Sequence, residues 1–229
     1  MKSFLLIGQS NMAGRGDFGE VPEIINDRCF MLRNGRWQFM SEPINPDRAV
    51  FNPDFHSGVG LAASFADEYA KYFNDTIGLI PCADGGTSLS QWMPGEILFD
   101  NAVMNAKLAM RSSELVGILW HQGENDAMDF DDVKYKKNFI QMMTELRKEL
   151  NAENLPVIIG EISENIAPSW NVKYAKEMNG LLMEIAEEFP HCKLTLAKDL
   201  ELKNDGIHFS SKSYRILGKR YFEKYLETI

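Results

Sequence analysis

Five short apolar runs punctuate the chain, at residues 3–7, 76–82, 115–120, 157–161 and 193–197, each bounded by turn-forming residues. Several are apolar at consecutive positions, the pattern of strands covered on both faces rather than strands with one face in water. Between them the period becomes helical. Leu61, Phe65, Tyr69 and Phe73 recur every four residues, and Phe139, Ile140, Met143, Leu146 and Leu150 keep a helical rhythm in a segment starting near Asp131. Residues 97–111 and 172–189 read as two further helices. Tyr214, Leu217, Tyr221 and Tyr225 mark a last one, with Ser210 or Ser211 as its N-cap. This alternation predicts a three-layer α/β/α sandwich around a mostly parallel sheet of about five strands. One interruption breaks the rhythm: residues 28–33, then Asn34-Gly35, then residues 36–40. Asn-Gly between apolar segments is a strong hairpin signal, so a small β-hairpin is expected to decorate the first crossover. With no internal repeat, low-complexity tract or linker, residues 1–229 read as one domain.

Composition narrows the partners. Of the 229 residues, 45% are hydrophobic and 25% charged, as in a water-exposed globular protein. The net charge of −9, with no Lys/Arg stripe to offset it locally, argues against nucleic acid and against an anionic membrane surface. Cys29, Cys82 and Cys192 are widely separated and odd in number, giving neither a disulfide framework nor a zinc spacing. The N-terminus, MKSFLLIGQSN, has too short an apolar run for a signal peptide, so the chain reads as cytoplasmic as written. No run approaches the length of a membrane span. Oligomeric state leaves no mark in the sequence.

Four polar, glycine-containing segments fall where the strands end. They are Gly8-Gln9-Ser10-Asn11, Ala83-Asp84-Gly85-Gly86-Thr87-Ser88, His121-Gln122-Gly123-Glu124-Asn125-Asp126 and Asp205-Gly206-Ile207-His208. Open α/β sheets bind ligands beyond the carboxyl ends of their strands, and in a parallel sheet the first three tips share one edge. Ser10 by itself reads first as a helix N-cap, with a nucleophile needing a base from elsewhere as the second reading. It is not in a G-x-S-x-G elbow, because Met12 occupies the final glycine position. Of the four histidines, His56 lies in a long loop, His121 at a strand tip and His191 after Pro190. His208 stands apart because Asp205 precedes it by three residues in a glycine-containing turn, where a carboxylate can fold back onto the ring's Nδ1 and leave Nε2 for a serine. The same four residues also make an ordinary turn before a helix. Gly85-Gly86-Thr87 is either a plain loop or a place where backbone N–H groups approach an oxyanion, and Gln122 can add a side-chain donor. The acidic run from Glu124 to Asp132 lacks calcium-loop spacing and reads as a solvated approach to the next helix, not a metal site.

Taken in order, G-Q-S-N-M-A-G, G-G-T-S followed by Trp92, W-H-Q-G-E-N-D and D-G-x-H resemble the sialate O-acetylesterase-like carbohydrate esterases, a branch of the SGNH (GDSL-type) hydrolase superfamily. The resemblance runs from Gly8 to His208. It implies Ser10 as nucleophile and His208 as base, with Asp205 orienting the ring and Glu124 as an alternative or additional partner of His208. It implies an oxyanion hole from the N–H groups of Ser10 and Gly86 together with Gln122, which stands where the wider superfamily has asparagine. Gln9, Asn11 and Trp92 are assigned to substrate contact, and Trp92 or Trp170 would offer a flat face to a sugar. The implied reaction is hydrolysis of O-acetyl groups from carbohydrate through an acyl-enzyme, with an acetylated saccharide as partner and no metal or organic cofactor. The alternatives are an SGNH lipase or thioesterase acting on a non-sugar ester, and a non-catalytic carbohydrate-binding protein.

Overall fold

A computed structural model describes residues 1–46 and 56–229. Its centre is one seven-stranded sheet in the order β3-β2-β4-β1-β5-β6-β7. The strands are β1 (Lys2–Gly8), β2 (Cys29–Arg33), β3 (Arg36–Phe39), β4 (Ile77–Pro81), β5 (Glu114–His121), β6 (Val157–Gly160) and β7 (Cys192–Thr195). Every neighbouring pair is parallel except β2 with β3. The helices are α1 (Ser10–Ala13), α2 (Leu61–Phe73), α3 (Ile97–Ala109), α4 (Asp132–Glu149), α5 (Ala175–Glu188) and α6 (Ser211–Leu226).

Strand alternation sorts the two sides of the sheet. Leu5 and Ile7 point into one core with Phe99 of α3, Phe139 and Met143 of α4, and Leu182 of α5. Phe4 and Leu6 point into the other, with Phe65 of α2 and Tyr214 and Tyr221 of α6. Both faces are therefore dry, which explains the continuous apolar runs. Two caps match the expected helix starts: Asp131 accepts from Lys134 N–H ahead of α4, and Ser210, rather than Ser211, accepts from Ser213 N–H ahead of α6.

The expectation of about five strands needs correction. The 28–40 hairpin does form, and Asn34 (φ 51°) and Gly35 (φ 73°) both take the left-handed conformation a tight hairpin turn requires. It is not a decoration, however. Cys29, Phe30 and Met31 pair in parallel with Ile77, Gly78 and Leu79 of β4, so the hairpin extends the sheet to seven strands. The last strand also starts earlier than predicted, at Cys192, and stops at Thr195. Among the described residues no helix is long and apolar enough to cross a membrane.

This order places β1 between β4 and β5, so the carboxyl ends of these three strands lie side by side. The chain leaves β1 toward β4 and later returns past β1 to β5, which makes this edge the switch point where open α/β sheets hold ligands.

Candidate active site

The Gly8–Asn11 segment is set by a tight approach of backbones. Gly8 ends β1 at φ 129°, and a Cβ on it would lie 2.2 Å from the His121 carbonyl oxygen. Only glycine fits there. The chain then turns: Gln9 is extended, its N–H donates to His121 O, and its carbonyl accepts from Met12 and Ala13 N–H. Gln9 is thus the cap residue, and Ser10 is the first residue of α1. The capping reading of Ser10 does not hold, because its hydroxyl is turned away from the helix, with Oγ 3.0 Å from His208 Nε2.

The 205–208 turn sets the imidazole. Asp205 Oδ1 accepts from the N–H of Ile207 at 3.1 Å and of His208 at 3.0 Å, and Oδ2 lies 2.8 Å from His208 Nδ1. Burial would raise the Asp205 carboxyl, but the bonds from His208 and Ile207 together outweigh it and hold the group below its usual range. Burial dominates at His208 and lowers its pKa, against an upward push from Asp205 and with a smaller downward push from Arg15 and Lys203. The ring is thus favoured in its neutral form, with a lone pair available at Nε2 when the proton sits on Nδ1. Trp170 closes over this turn: its Nε1 donates to the Asp205 carbonyl at 2.7 Å, and its ring meets His208 edge-on at 6.4 Å between centroids.

The glycine loop after β4 lies against Ser10. A Cβ on Gly85 would be 3.4 Å from Ser10 Cβ and 2.6 Å from Arg15 Nη2. Gly86, at φ 74°, faces open space at its α-carbon. Neither the Ser10 N–H nor the Gly86 N–H donates to another described residue.

Other expected site residues sit elsewhere. Gln122 is fully buried; its two amide protons go to the Thr87 carbonyl and to Asp126 Oδ2, while its Oε1 accepts from Tyr135 OH. It is therefore not a free oxyanion donor; it ties the 84–88 loop to β5. Trp92 is 1% exposed, packed edge-on against Trp120 with its N–H on Thr87 Oγ1, and offers no face to a ligand. Gln9 is buried, its Oε1 facing the N–H groups of Gly123 and Asn125 at 3.5 and 3.4 Å. Asn11 is buried among protein groups. Glu124 does not reach His208: it accepts from Asn11 and lies 4.0 Å from His121 Nε2. Burial raises its carboxyl pKa. Within the acidic run, Asp126 accepts from Leu89 N–H and Asp131 caps α4, and among the described residues no three His, Cys, Asp or Glu side chains are placed to hold a metal.

The residues that sequence reasoning passed over are Arg15, Tyr135 and Tyr214. Arg15 is buried beneath the glycine loop, and a charged residue between Gly14 and Gly16 was the available signal. The two tyrosines lie on helix faces that read simply as core.

Residues 1–227 match the family model described as carbohydrate esterase, sialic acid-specific acetylesterase. The chain belongs to this family. A probable carbohydrate esterase of Arabidopsis thaliana is 28% identical over 243 residues, covering 97% of this chain and 89% of the plant protein. The crystal structure of that plant protein superposes with a TM-score of 0.87, covering 99% and 98% of the two chains. NanS superposes with a TM-score of 0.80 at 17% identity, covering 98% and 96%. A carbohydrate acetylesterase from Xanthomonas citri gives 0.64 at 19% identity, covering 96% of this chain and 55% of that one; at such identities the likeness concerns the fold alone. The esterase described here is accordingly a carboxylic ester hydrolase of the carbohydrate esterase class, on the SGNH-type fold that the tip motifs resemble.

Proposed function

We propose that this esterase removes O-acetyl groups from a carbohydrate by serine catalysis. The observation that carries the reading is the Ser10–His208–Asp205 chain, with Oγ to Nε2 at 3.0 Å and Nδ1 to Oδ2 at 2.8 Å, built from residues 198 apart in sequence.

Ser10 Oγ attacks the acetyl carbonyl carbon while His208 Nε2 takes its proton. The carbonyl oxygen becomes an oxyanion, held by the Ser10 and Gly86 N–H groups; one such donor is worth roughly 10²–10³ in rate. As the intermediate collapses, the bond from carbonyl carbon to sugar oxygen breaks and Nε2–H protonates the departing sugar oxygen, which leaves as a hydroxyl. Water then attacks acetyl-Ser10, giving one proton to Nε2; that proton returns to Oγ as the acyl bond breaks, and acetic acid leaves and ionises to acetate in solvent. Asp205 keeps the proton of neutral His208 on Nδ1 and stabilises the imidazolium, without itself being protonated.

Acetate is small, so selectivity falls to the alcohol. Of the two tryptophans considered, only Trp170, 37% exposed beside His208, presents a face on which a sugar ring can rest. The test is acetate release from a panel of acetylated saccharides by wild type and by Ser10→Ala, with aryl acetate and aryl decanoate as references. Expected are release from a sugar ester, preference for the acetate reference and loss of turnover in a folded Ser10→Ala. A folded Ser10→Ala that still turns over would overturn the serine reading, and a decanoate preference would overturn the sugar reading.

A further inference from the structure

Asn11 and Glu124 are each 1% exposed, out of reach of a substrate. The Asn11 side chain is saturated by the protein. Its Nδ2 donates to Glu124 Oε1 and, at 3.3 Å, to the Ile207 carbonyl; its Oδ1 accepts from Phe209 N–H at 3.2 Å and from Tyr214 OH at 2.6 Å. Residues 207 and 209 flank the base, and residue 11 follows the nucleophile. One amide group thus joins the backbone beside Ser10 to the backbone on both sides of His208.

We propose that Asn11 is a positioning residue that sets the Ser10–His208 separation, and that Glu124 holds its amide in the one orientation that does so. An asparagine turned over would point its NH2 at the Phe209 N–H and its oxygen at the Glu124 and Ile207 oxygens, leaving only the Tyr214 hydroxyl able to turn and accept. The Glu124 acceptor opposes that flip from the sheet side, and the Phe209 N–H opposes it from the segment that carries His208. The device is needed because the base stands on a stretch with little regular structure of its own. Between β7 and α6 the backbone is held by one bridge, Leu202 with Phe209, by turn bonds such as Lys203 N–H to His208 O, and from the 167–170 segment by Ala167 N–H to Gly206 O and Trp170 Nε1 to Asp205 O. Lys203 Nζ also reaches the Arg15 carbonyl at 3.0 Å, five residues past Ser10, whereas Asn11 ties the residue next to Ser10 to both neighbours of His208.

The inference rests on Ser10 being the nucleophile, and the experiment separates the two. Asn11→Ala, Asn11→Asp, Asn11→Asp/Glu124→Gln and Ser10→Ala are compared for kcat and KM on an aryl acetate, for the rate at which a fluorophosphonate labels Ser10, and for Tm. Misplacement of about 1 Å costs on the order of 10²-fold in rate. Folded Asn11→Ala should therefore lose about 10- to 100-fold in kcat, with the labelling rate falling in parallel and KM within about twofold. Asn11→Asp sets carboxylate against carboxylate and should lose a similar factor. Adding Glu124→Gln restores that bond with donor and acceptor exchanged, and should recover about tenfold of the loss. Where Asn11→Ala does not fold, the aspartate variant and its partner exchange decide. Wild-type kcat in folded Asn11→Ala, or no recovery in the double variant, overturns the positioning role. An active Ser10→Ala overturns instead the nucleophile assignment beneath it.

Discussion

Asp205→Asn tests the wiring of the proposed triad at a single atom. In the wild type Oδ1 accepts from two backbone N–H groups, at 3.1 and 3.0 Å, and Oδ2 faces His208 Nδ1 at 2.8 Å. Asparagine has one oxygen and one NH2 for those two places. Keeping the oxygen on the backbone retains two bonds worth about 1 kcal/mol each and turns the NH2 toward Nδ1. The reverse orientation loses both and sets donor against donors, so the first prevails by roughly 2 kcal/mol or more. An NH2 donating to Nδ1 forces the proton of the neutral ring onto Nε2, which then faces Ser10 as a donor and cannot act as a base. Loss of the correct tautomer in a serine triad costs about 10⁴ in kcat. Asp205 is 31% exposed, so water competes at Nδ1 and we expect a loss between about 10³ and 10⁴. The assay is kcat/KM on an aryl acetate between about pH 5 and 9, with Tm as the control for folding. Activity requires neutral His208, whose pKa lies below the ordinary histidine value chiefly because of burial, so the wild-type acid limb should have its midpoint below about 6.5. The Asp205 carboxylate pushes that pKa upward, so removing its charge should move the limb of the residual activity lower still. A variant keeping more than about a tenth of wild-type kcat/KM, or one whose acid limb moves upward, refutes the reasoning.

Gln122→Ala separates a scaffold residue from an oxyanion donor. It strands the buried Thr87 O and takes one partner each from Asp126, which keeps the Leu89 N–H, and from Tyr135 OH, which keeps the residue-122 carbonyl, for roughly 2–4 kcal/mol. That corresponds to about 5–12 °C in Tm for a domain of this size. The kcat measured well below the new Tm should fall by less than about tenfold, and a loss of 10²–10³ with Tm unchanged would restore the oxyanion role. Gly8→Ala should not yield folded protein, because the Cβ would sit 2.2 Å from His121 O at a φ of 129°; a soluble variant with native circular dichroism contradicts this. His121, held near a pKa of about 3 by burial, stays neutral in the fold while the unfolded chain binds a proton below about 6.5, so stability should fall as pH drops from about 6.5 toward 3. Its share is at most about 1.4 kcal/mol per pH unit, opposed by Glu124, whose raised carboxyl binds a proton more readily in the fold. Urea titrations of wild type and His121→Gln at several pH values measure it as a difference in slope, and equal slopes contradict it.

The sequence was most legible where one local conformation fixes both fold and site. Asp205-Gly206-Ile207-His208 can place a carboxylate on its own imidazole because all the atoms lie within four residues, and the structure has that bond. Ser10 was ambiguous for the opposite reason. Whether its hydroxyl caps a helix or faces a base depends on Gln9 taking the cap position and on His208 arriving from the far end of the chain. The hairpin was visible in Asn34-Gly35, but its place in the sheet was not, since the β4 residues that pair with Cys29, Phe30 and Met31 lie 48 positions away. Residue type misled at Trp92 and Gln122. A tryptophan serves a core or a sugar face equally well, and only contact with Trp120 and Thr87 shows which. An amide at a strand tip points at a ligand or back into the protein depending on what stands around it, here Thr87, Asp126 and Tyr135.

These displacements share a cause. The tips of β1, β4 and β5 meet at one edge, and each brings polar backbone groups that can neither remain unpaired when buried nor all face the substrate. The protein divides the work by depth. Gln122 satisfies the loop after β4 from below, and Gln9 faces the turn after β5. Asn11 does the same for the turn that carries His208. Above that layer remain the groups suited to chemistry: the Ser10 hydroxyl, the His208 ring, two N–H groups and the open face of Trp170. Amide side chains beside a nucleophile invite the expectation of direct contact with substrate. In this fold, saturated on both donor and acceptor sides, an amide such as that of Asn11 can hold the reacting groups in place but has no bond left to offer them.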